Sequence, residues 1–308
     1  MLTIQKVRDL LEKKGAVLLA HNYQRPEVQD AADFVGDSLE LSLKATELNT
    51  KLVVFAGVDF MAEQVAILNP EKVVLQPEPL AKCPMAAMLT PNIVKKFREK
   101  YPEAPIVVYV NSLAEVKALS DYVVTSANAV ELVSKLDANT VVFGPDRNLA
   151  EYVAEKTGKE VIPLPDFGHC PVHLAITRED VEKAKLEHPN ARILVHPECS
   201  REVRAMADYI GSTSQMLRAA RELGGHEYIV ATETGLLYRF SKLGVVAYPA
   251  SPYAVCTDMK KITLEKVARS ILEGREVIRI DPRVSERARE AVKRTFEVLG
   301  VEAPWQRS

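Results

Sequence analysis

Cysteine is scarce in this chain. There are four in 308 residues, and the closest two, Cys170 and Cys199, stand 29 positions apart (199 − 170). That spacing excludes the close C-x2-C pairs by which structural zinc sites are usually delivered. No apolar run of about 18 residues is present, so no stretch reads as a membrane helix. An excess of one charge is also lacking: 40 Lys and Arg balance 42 Asp and Glu, a net −2. No overall field therefore draws nucleic acid or anionic lipid, and an anionic ligand must be held locally. Low-complexity and linker-like stretches are absent. Met1 to Lys14 reads as a charged amphipathic segment instead of a signal peptide, which predicts a cytoplasmic protein. In that setting the cysteines are ligands, nucleophiles or core thiols, not a disulfide framework.

What the chain does contain is a repeat. Cys83, Cys170 and Cys256 are separated by 87 and 86 residues (170 − 83, 256 − 170), and a threonine follows each by seven: Thr90, Thr177 and Thr263. Thr3 stands 87 before Thr90 (90 − 3), and each threonine opens a segment with apolar residues three and four apart, as an N-cap before a helix does. Fixed-period similarity outranks the length prior of about two domains and predicts three units of about 86 residues. The boundaries are 1–86, completed by 261–308, then 87–173 and 174–260. Residues 261–308 are read as closing helices and a strand at Glu276–Asp281.

After each of the first three helices comes an unbroken apolar run with a polar ending: Val17 to Tyr23, Ile106 to Asn111 and Ile193 to Glu198. Such runs, alternating with helices, are strands buried on both faces of a parallel sheet. The expected fold is α/β: three homologous three-layer αβα domains with small parallel sheets, related by pseudo-threefold symmetry around a central site. A small-residue turn follows 17 residues after His21, Tyr109 and His196, at Ser38, Ser126 and Thr213. These hydroxyls read either as plain N-caps or as ligand-binding groups at helix N-termini.

Ligands of open parallel sheets bind beyond the carboxyl ends of the strands. There the three thiols would converge, surrounded by His21, Tyr23, Tyr109, Asn111, His196 and Glu198. Three thiolates from three units suit an iron-sulfur cluster with one open iron better than a four-ligand structural zinc. Cys199 has no counterpart in the other units and reads as a core thiol. His188 and His226 read as surface residues, and Lys95-Lys96 and Lys260-Lys261 as solvated helix faces.

The stretches Ala20-His21-Asn22-Tyr23-Gln24, Gly36-Asp37-Ser38-Leu39, Lys82-Cys83-Pro84-Met85-Ala86, Tyr109-Val110-Asn111-Ser112, His196-Pro197-Glu198-Cys199 and Gly211-Ser212-Thr213 together resemble the quinolinate synthase family of NAD biosynthesis over essentially the full length. The resemblance implies a 4Fe-4S cluster on Cys83, Cys170 and Cys256. It also implies condensation of iminoaspartate with dihydroxyacetone phosphate to quinolinate, phosphate and water. Under it, Ser38, Ser126 and Thr213, with His21, Asn111 and His196, hold carboxylates or phosphate. Val110, His173 and Pro197 complete the substrate contacts, and Tyr23, Tyr109, Glu198 and His21 are the candidates for proton transfer. An aspartate oxidase or aspartate dehydrogenase is the implied supplier of the imine. The alternatives are another three-cysteine iron-sulfur enzyme of triplicate design, radical or reductive, and a non-enzymatic binder of metal or small acids.

Overall fold

The structure, a computed structural model, describes residues 3–222, 227–303 and 305. Twelve strands form three sheets of four among the described residues. The first holds β1 (Ala16–His21), β2 (Phe34–Gly36), β3 (Leu52–Ala56) and β4 (Val73–Leu75). The second holds β5 (Ile106–Tyr109), β6 (Tyr122–Val124), β7 (Thr140–Gly144) and β8 (Glu160–Pro163). The third holds β9 (Arg192–Val195), β10 (Tyr209–Ile210), β11 (Glu227–Ala231) and β12 (Val246–Pro249). All pairings within them are parallel, and the order in each is second, first, third, fourth. The order reverses between the first and third strands, which opens a crevice at their carboxyl ends.

The central strands are apolar on both faces because helices cover both faces. Leu18, Leu19, Val53, Val54, Val107, Val108, Val141 and Val142 are fully buried. Each first strand is also braced by an aspartate 15 residues on: Asp33 accepts Leu18 N–H at 2.8 Å, Asp121 accepts Ile106 N–H at 2.7 Å and Asp208 accepts Ile193 N–H at 2.7 Å. Three of the four threonines cap their helices through the side chain, at Ile4–Lys14, Arg178–Glu187 and Leu264–Glu273. Thr90 occupies the cap position of Pro91–Lys100 without that bond.

The units meet at a rim where one contact position recurs. Asp30 accepts from Tyr238 at 2.6 Å, Lys117 donates to Gln64 at 2.8 Å, and Arg204 donates to Glu151 at 2.9 Å. Residues 30, 117 and 204 are 87 apart, as are 64, 151 and 238, so each unit grips the next by the same element.

Helix Leu264–Glu273 packs on Ile4–Lys14, Pro26–Ala31 and β3, whereas Pro282–Leu299 lies on β6 and on helices Ala114–Lys117, Ala129–Lys135 and Asp59–Leu68. The expected strand at 276–281 is not part of a parallel sheet. It makes a single antiparallel bridge, Val277 with Leu75, flanked by bonds from Gln76 N–H to Glu276 O and from Ile278 N–H to Val74 O. The chain has turned at Gly274 and at Glu276, both with positive φ, so it passes the three-residue edge β4 in the opposite sense. No helix among the described residues is long and apolar enough to cross a membrane.

Candidate active site and metal centre

One cavity at the carboxyl ends of the three sheets is lined by Cys83, Cys170 and Cys256 together with His21, Tyr23, Ser38, Tyr109, Val110, Asn111, Ser126, His173, His196, Glu198 and Thr213. Pro197 is buried between His196 and Glu198 and is not among the lining residues. The cavity also takes in Val58, Phe60, Met61, Met259 and Glu233, which the sequence reading left out.

The hydroxyls at Ser38 and Thr213 are spared from capping. Asp37 is the N-cap of Ser38–Glu47 and closes a capping box with Glu40. Ser212 and Gln215 exchange two bonds at the start of Thr213–Glu222, Ser212 N–H to Gln215 Oε1 at 2.8 Å and Gln215 N–H to Ser212 Oγ at 3.3 Å. Ser38 and Thr213 are thus first-turn residues whose side chains remain for a ligand. Thr213 Oγ1 already accepts from Asn22 Nδ2 of the first unit at 3.0 Å, which leaves its hydroxyl hydrogen to donate. Ser126 departs from the expected geometry: its helix begins three residues later, at Ala129, and Thr125 N–H is held by Asn128 Oδ1 at 2.7 Å. Burial pushes Asp37 up to about 6, with Glu40 adding to it.

Strand ends fix the imidazoles. His21 Nδ1 accepts Tyr23 N–H at 3.2 Å, and His196 Nδ1 accepts Glu198 N–H at 3.3 Å. With Nδ1 occupied as acceptor, the single ring proton sits on Nε2, and both rings offer a neutral N–H donor. Burial keeps them neutral: it pushes His21 down to about 3, helped by Lys260 and His196, and His196 to about 3.

A hydrogen-bond chain crosses the three units. Tyr109 donates to Glu198 Oε1 at 2.6 Å, His173 Nδ1 lies 2.9 Å from Glu198 Oε2, His173 Nε2 lies 2.7 Å from Thr232 Oγ1, and Tyr23 OH lies 2.7 Å from the same oxygen. A carboxylate only accepts, so His173 donates through Nδ1. For a ring with one proton, Nε2 then accepts from Thr232, whose oxygen accepts from Tyr23. Every donor points toward Glu198. Burial raises the Glu198 carboxyl, but His173, His196 and the Tyr109 bond outweigh it and hold the group below the usual carboxylate range. Burial, reinforced by Glu198, pushes both phenols well up, so they stay protonated. Thr232 was invisible in the sequence, because a lone threonine after a strand carries no signal until its neighbours are known.

The thiols are free, and burial pushes all three up, with Cys83 sensing Cys256 and Cys170 sensing Cys83. Cys83 and Cys170 each precede a proline that opens a short helix, Pro84–Met88 and Pro171–Leu174. Each cysteine N–H is held by a carboxylate: Asp59 at 3.0 Å, Asp146 at 2.9 Å and Glu233 at 3.1 Å. Cys199 lies outside the cavity, fully buried, with its thiol on Ala231 O at 3.4 Å. Lys260 is not the solvated lysine expected. Its ammonium sits 2.9 Å from Glu233 and donates to Tyr23 O. His188 is half-buried, stacked on Tyr248 with centroids 3.4 Å apart, and His226 lies outside the described residues.

Cys170, His173 and Glu198 bring ligand atoms within 4.8 Å of one another, a group able to hold a metal ion. No Lys or Arg is among the described residues lining the cavity. Triplicate parallel sheets that gather thiols, imidazoles, phenols and a carboxylate into one such pocket define an α/β enzyme with a metal-competent centre. The comparisons give that class its family. The profile described as Quinolinate synthetase A protein matches residues 5–297. The quinolinate synthase of Pyrococcus furiosus is 51% identical over 296 residues, covering 96% of this chain and 97% of the relative. Those of Thermotoga maritima and Methanocaldococcus jannaschii are 48% and 49% identical, each over 96% of this chain and over 100% and 98% of the relative. The chain belongs to the quinolinate synthetase A protein family.

Proposed function

We propose that the chain is a cytoplasmic enzyme that makes quinolinate from iminoaspartate and dihydroxyacetone phosphate, with Cys83, Cys170 and Cys256 holding a 4Fe-4S cluster. The observation that carries this reading is the lining of one cavity by a thiol from each unit. The donor set fits the group: three free cysteines stand in loops held by equivalent contacts, and Cys199 is turned into the core. A dicarboxylate and a phosphate ester bring several negative charges into a pocket with no Lys or Arg among the described lining residues, which favours a positive centre supplied by a bound group. When bound, the cluster supplies a Lewis acid, an iron without a protein thiolate that polarises a substrate oxygen.

The chain's own groups do the rest. His21 and His196 present Nε2–H donors, and Ser38, Ser126 and Thr213 present hydroxyls, with Asn111, to the carboxylates or phosphate. Val110 lines the pocket beside them, and Pro197 acts only through the backbone that joins His196 to Glu198. Glu198 is the acceptor for a substrate proton, oriented by Tyr109 and His173, and Tyr23 is the donor at the far end of the chain. An imine hydrolyses readily, so an aspartate oxidase or aspartate dehydrogenase is the partner that supplies it.

The test is anaerobic purification with iron and sulfide analysis, then turnover with iminoaspartate made in place. About four irons per chain, lost in C83A, C170A and C256A and kept in C199A, with quinolinate formed, is the expected result. A single metal ion lost in H173A but retained in C83A and C256A would replace the cluster with a mononuclear site.

A further inference from the structure

We infer that Asp59, Asp146 and Glu233 are positioning residues that preset the three thiol loops for the metal centre. The inference rests on the cluster reading and goes beyond it. The three acids are 87 residues apart in succession (146 − 59, 233 − 146). Each follows the third strand of its sheet and accepts the N–H of the cysteine that follows the fourth, at 3.0, 2.9 and 3.1 Å. Each carboxylate also holds a backbone N–H at its own loop: Asp59 takes Phe60 at 2.9 Å, Asp146 takes Leu149 at 2.8 Å and Glu233 takes Gly235 at 2.7 Å. The side chain thus clamps one loop of the site to the next.

The exception argues most strongly for function. Cys83 and Cys170 come 24 residues after their acids (83 − 59, 170 − 146), but Cys256 comes 23 after its own (256 − 233). Where the connection is one residue shorter, the acid is Glu and not Asp, and the contact survives. Helix capping alone would not require this, since an uncharged Ser or Asn caps as well, whereas each of these acids reaches a second backbone N–H, that of its cysteine, and Asp146 and Glu233 do so at 0% and 1% exposure. Groups that orient metal ligands typically change metal retention about 10–100-fold when removed.

The oxygens used by each acid separate this role from general structure. Asp59 serves both N–H groups through one oxygen, Oδ1, so D59N keeps both bonds and D59A loses them. Asp146 uses Oδ1 for Leu149 and Oδ2 for Cys170, so D146N must surrender one. In the anaerobic holoprotein, the visible spectrum is followed while a ferrous chelator strips the iron. D59A and D146A should lose iron about 10–100-fold faster than the parent, D59N should stay close to the parent, and D146N should lie between. E233D should release iron nearly as fast as E233A, because the shorter side chain cannot span the gap. D208A, which removes only a strand brace away from the thiols, is the control that should leave release unchanged.

A second readout needs no metal. In the metal-free chain, alkylation of Cys83 and Cys170 followed by mass spectrometry should accelerate in D59A and D146A and not in D59N, with melting temperatures recorded to separate loop release from unfolding. D59A and D146A that hold iron and resist alkylation like the parent would overturn the inference. So would a D59N indistinguishable from D59A. A parent without iron would instead remove the cluster reading, and the alkylation rates would still decide whether the acids position the thiols.

Discussion

The rim between units and the centre they enclose repeat with the same period but differ in what is kept. At the rim the position recurs while the chemistry changes: Asp30 with Tyr238, Lys117 with Gln64, Arg204 with Glu151. At the centre the contact itself recurs, a carboxylate on each cysteine N–H, even where the connecting loop differs in length. A rim pair answers only to itself, so any complementary pair suffices. The cysteine loops converge on one cavity, so each is constrained by the other two. Substitutions at the centre should therefore remove function at little cost in stability, and those at the rim should do the reverse.

The largest expected effect is at Glu198. It is 2% exposed and terminates a chain in which Tyr109 and His173 both donate to it. E198Q puts an amide N–H₂ against one of those donors and removes the carboxylate on which the hydrogen-bond chain ends. Turnover should fall about 10²–10⁴-fold, as for loss of a general base, while iron content stays at the parent level. Steady-state kinetics beside iron analysis checks both halves. T232V, which breaks the chain in its middle without touching Glu198, should show a smaller loss of the same kind.

At the rim, Arg204 is the severe case. Its side chain is 2% exposed, and NH1 donates to the carbonyls of Asn148 and Cys199 at 3.1 and 2.8 Å. R204A leaves both carbonyls buried without that donor and frees Glu151 and Glu155, so about 3–5 kcal/mol of stability should be lost in denaturant unfolding. The per-iron activity of the folded fraction should be unchanged, because Arg204 is not part of the cavity lining.

The same contrast explains what could be read in advance. Strands and the meeting of the three thiols in one cavity were legible because both leave a mark in the chain: a doubly buried strand must be apolar, and Cys83, Cys170 and Cys256 recur at 87 and 86 residues. Asp59, Asp146 and Glu233 carry the same period, but three acids among 42 stand out only once their partners are seen. Thr232 matters through oxygens and nitrogens brought from positions 23 and 173. Lys260 was misread because a Lys-Lys pair is usually solvated, whereas its ammonium answers the buried charge of Glu233. The stretch 276–281 has the composition of a strand, yet composition does not reveal the positive φ at Glu276 that turns it antiparallel.

Charge gives a gentler probe of the centre. His21 is held neutral at about 3, against about 6.5 for an unfolded histidine. Below pH 6.5 the unfolded chain binds a proton that the native ring refuses, so His21's contribution to stability is whole above 6.5 and falls as the pH drops toward 3. Other groups titrate in the same range, including Asp37 with the opposite sign, so the informative quantity is a difference. In the metal-free chain, the stability of the parent relative to H21Q should fall by about 1.4 kcal/mol between pH 7.5 and pH 5.5. Urea unfolding at the two values measures it, and an unchanged difference would mean that the native ring titrates like that of the unfolded chain and is not held neutral by burial.

The smallest effect belongs to the third rim contact, and it tests whether a rim position matters by location or by burial. Asp30 accepts from Tyr238 at 2.6 Å and pairs with Lys242 at 3.0 Å, but its side chain is 34% exposed and that of Lys242 is 52% exposed. Water competes for both partners, so D30A should cost no more than about 1 kcal/mol, less at high salt. Arg204 occupies the equivalent place 174 residues on (204 − 30), with the opposite charge and two backbone carbonyls to hold, and unlike Asp30 it is dry. If D30A proved as damaging as R204A, the rim would be a cooperative ring in which position decides. If the costs separate as expected, burial decides, and each interface stands on its own.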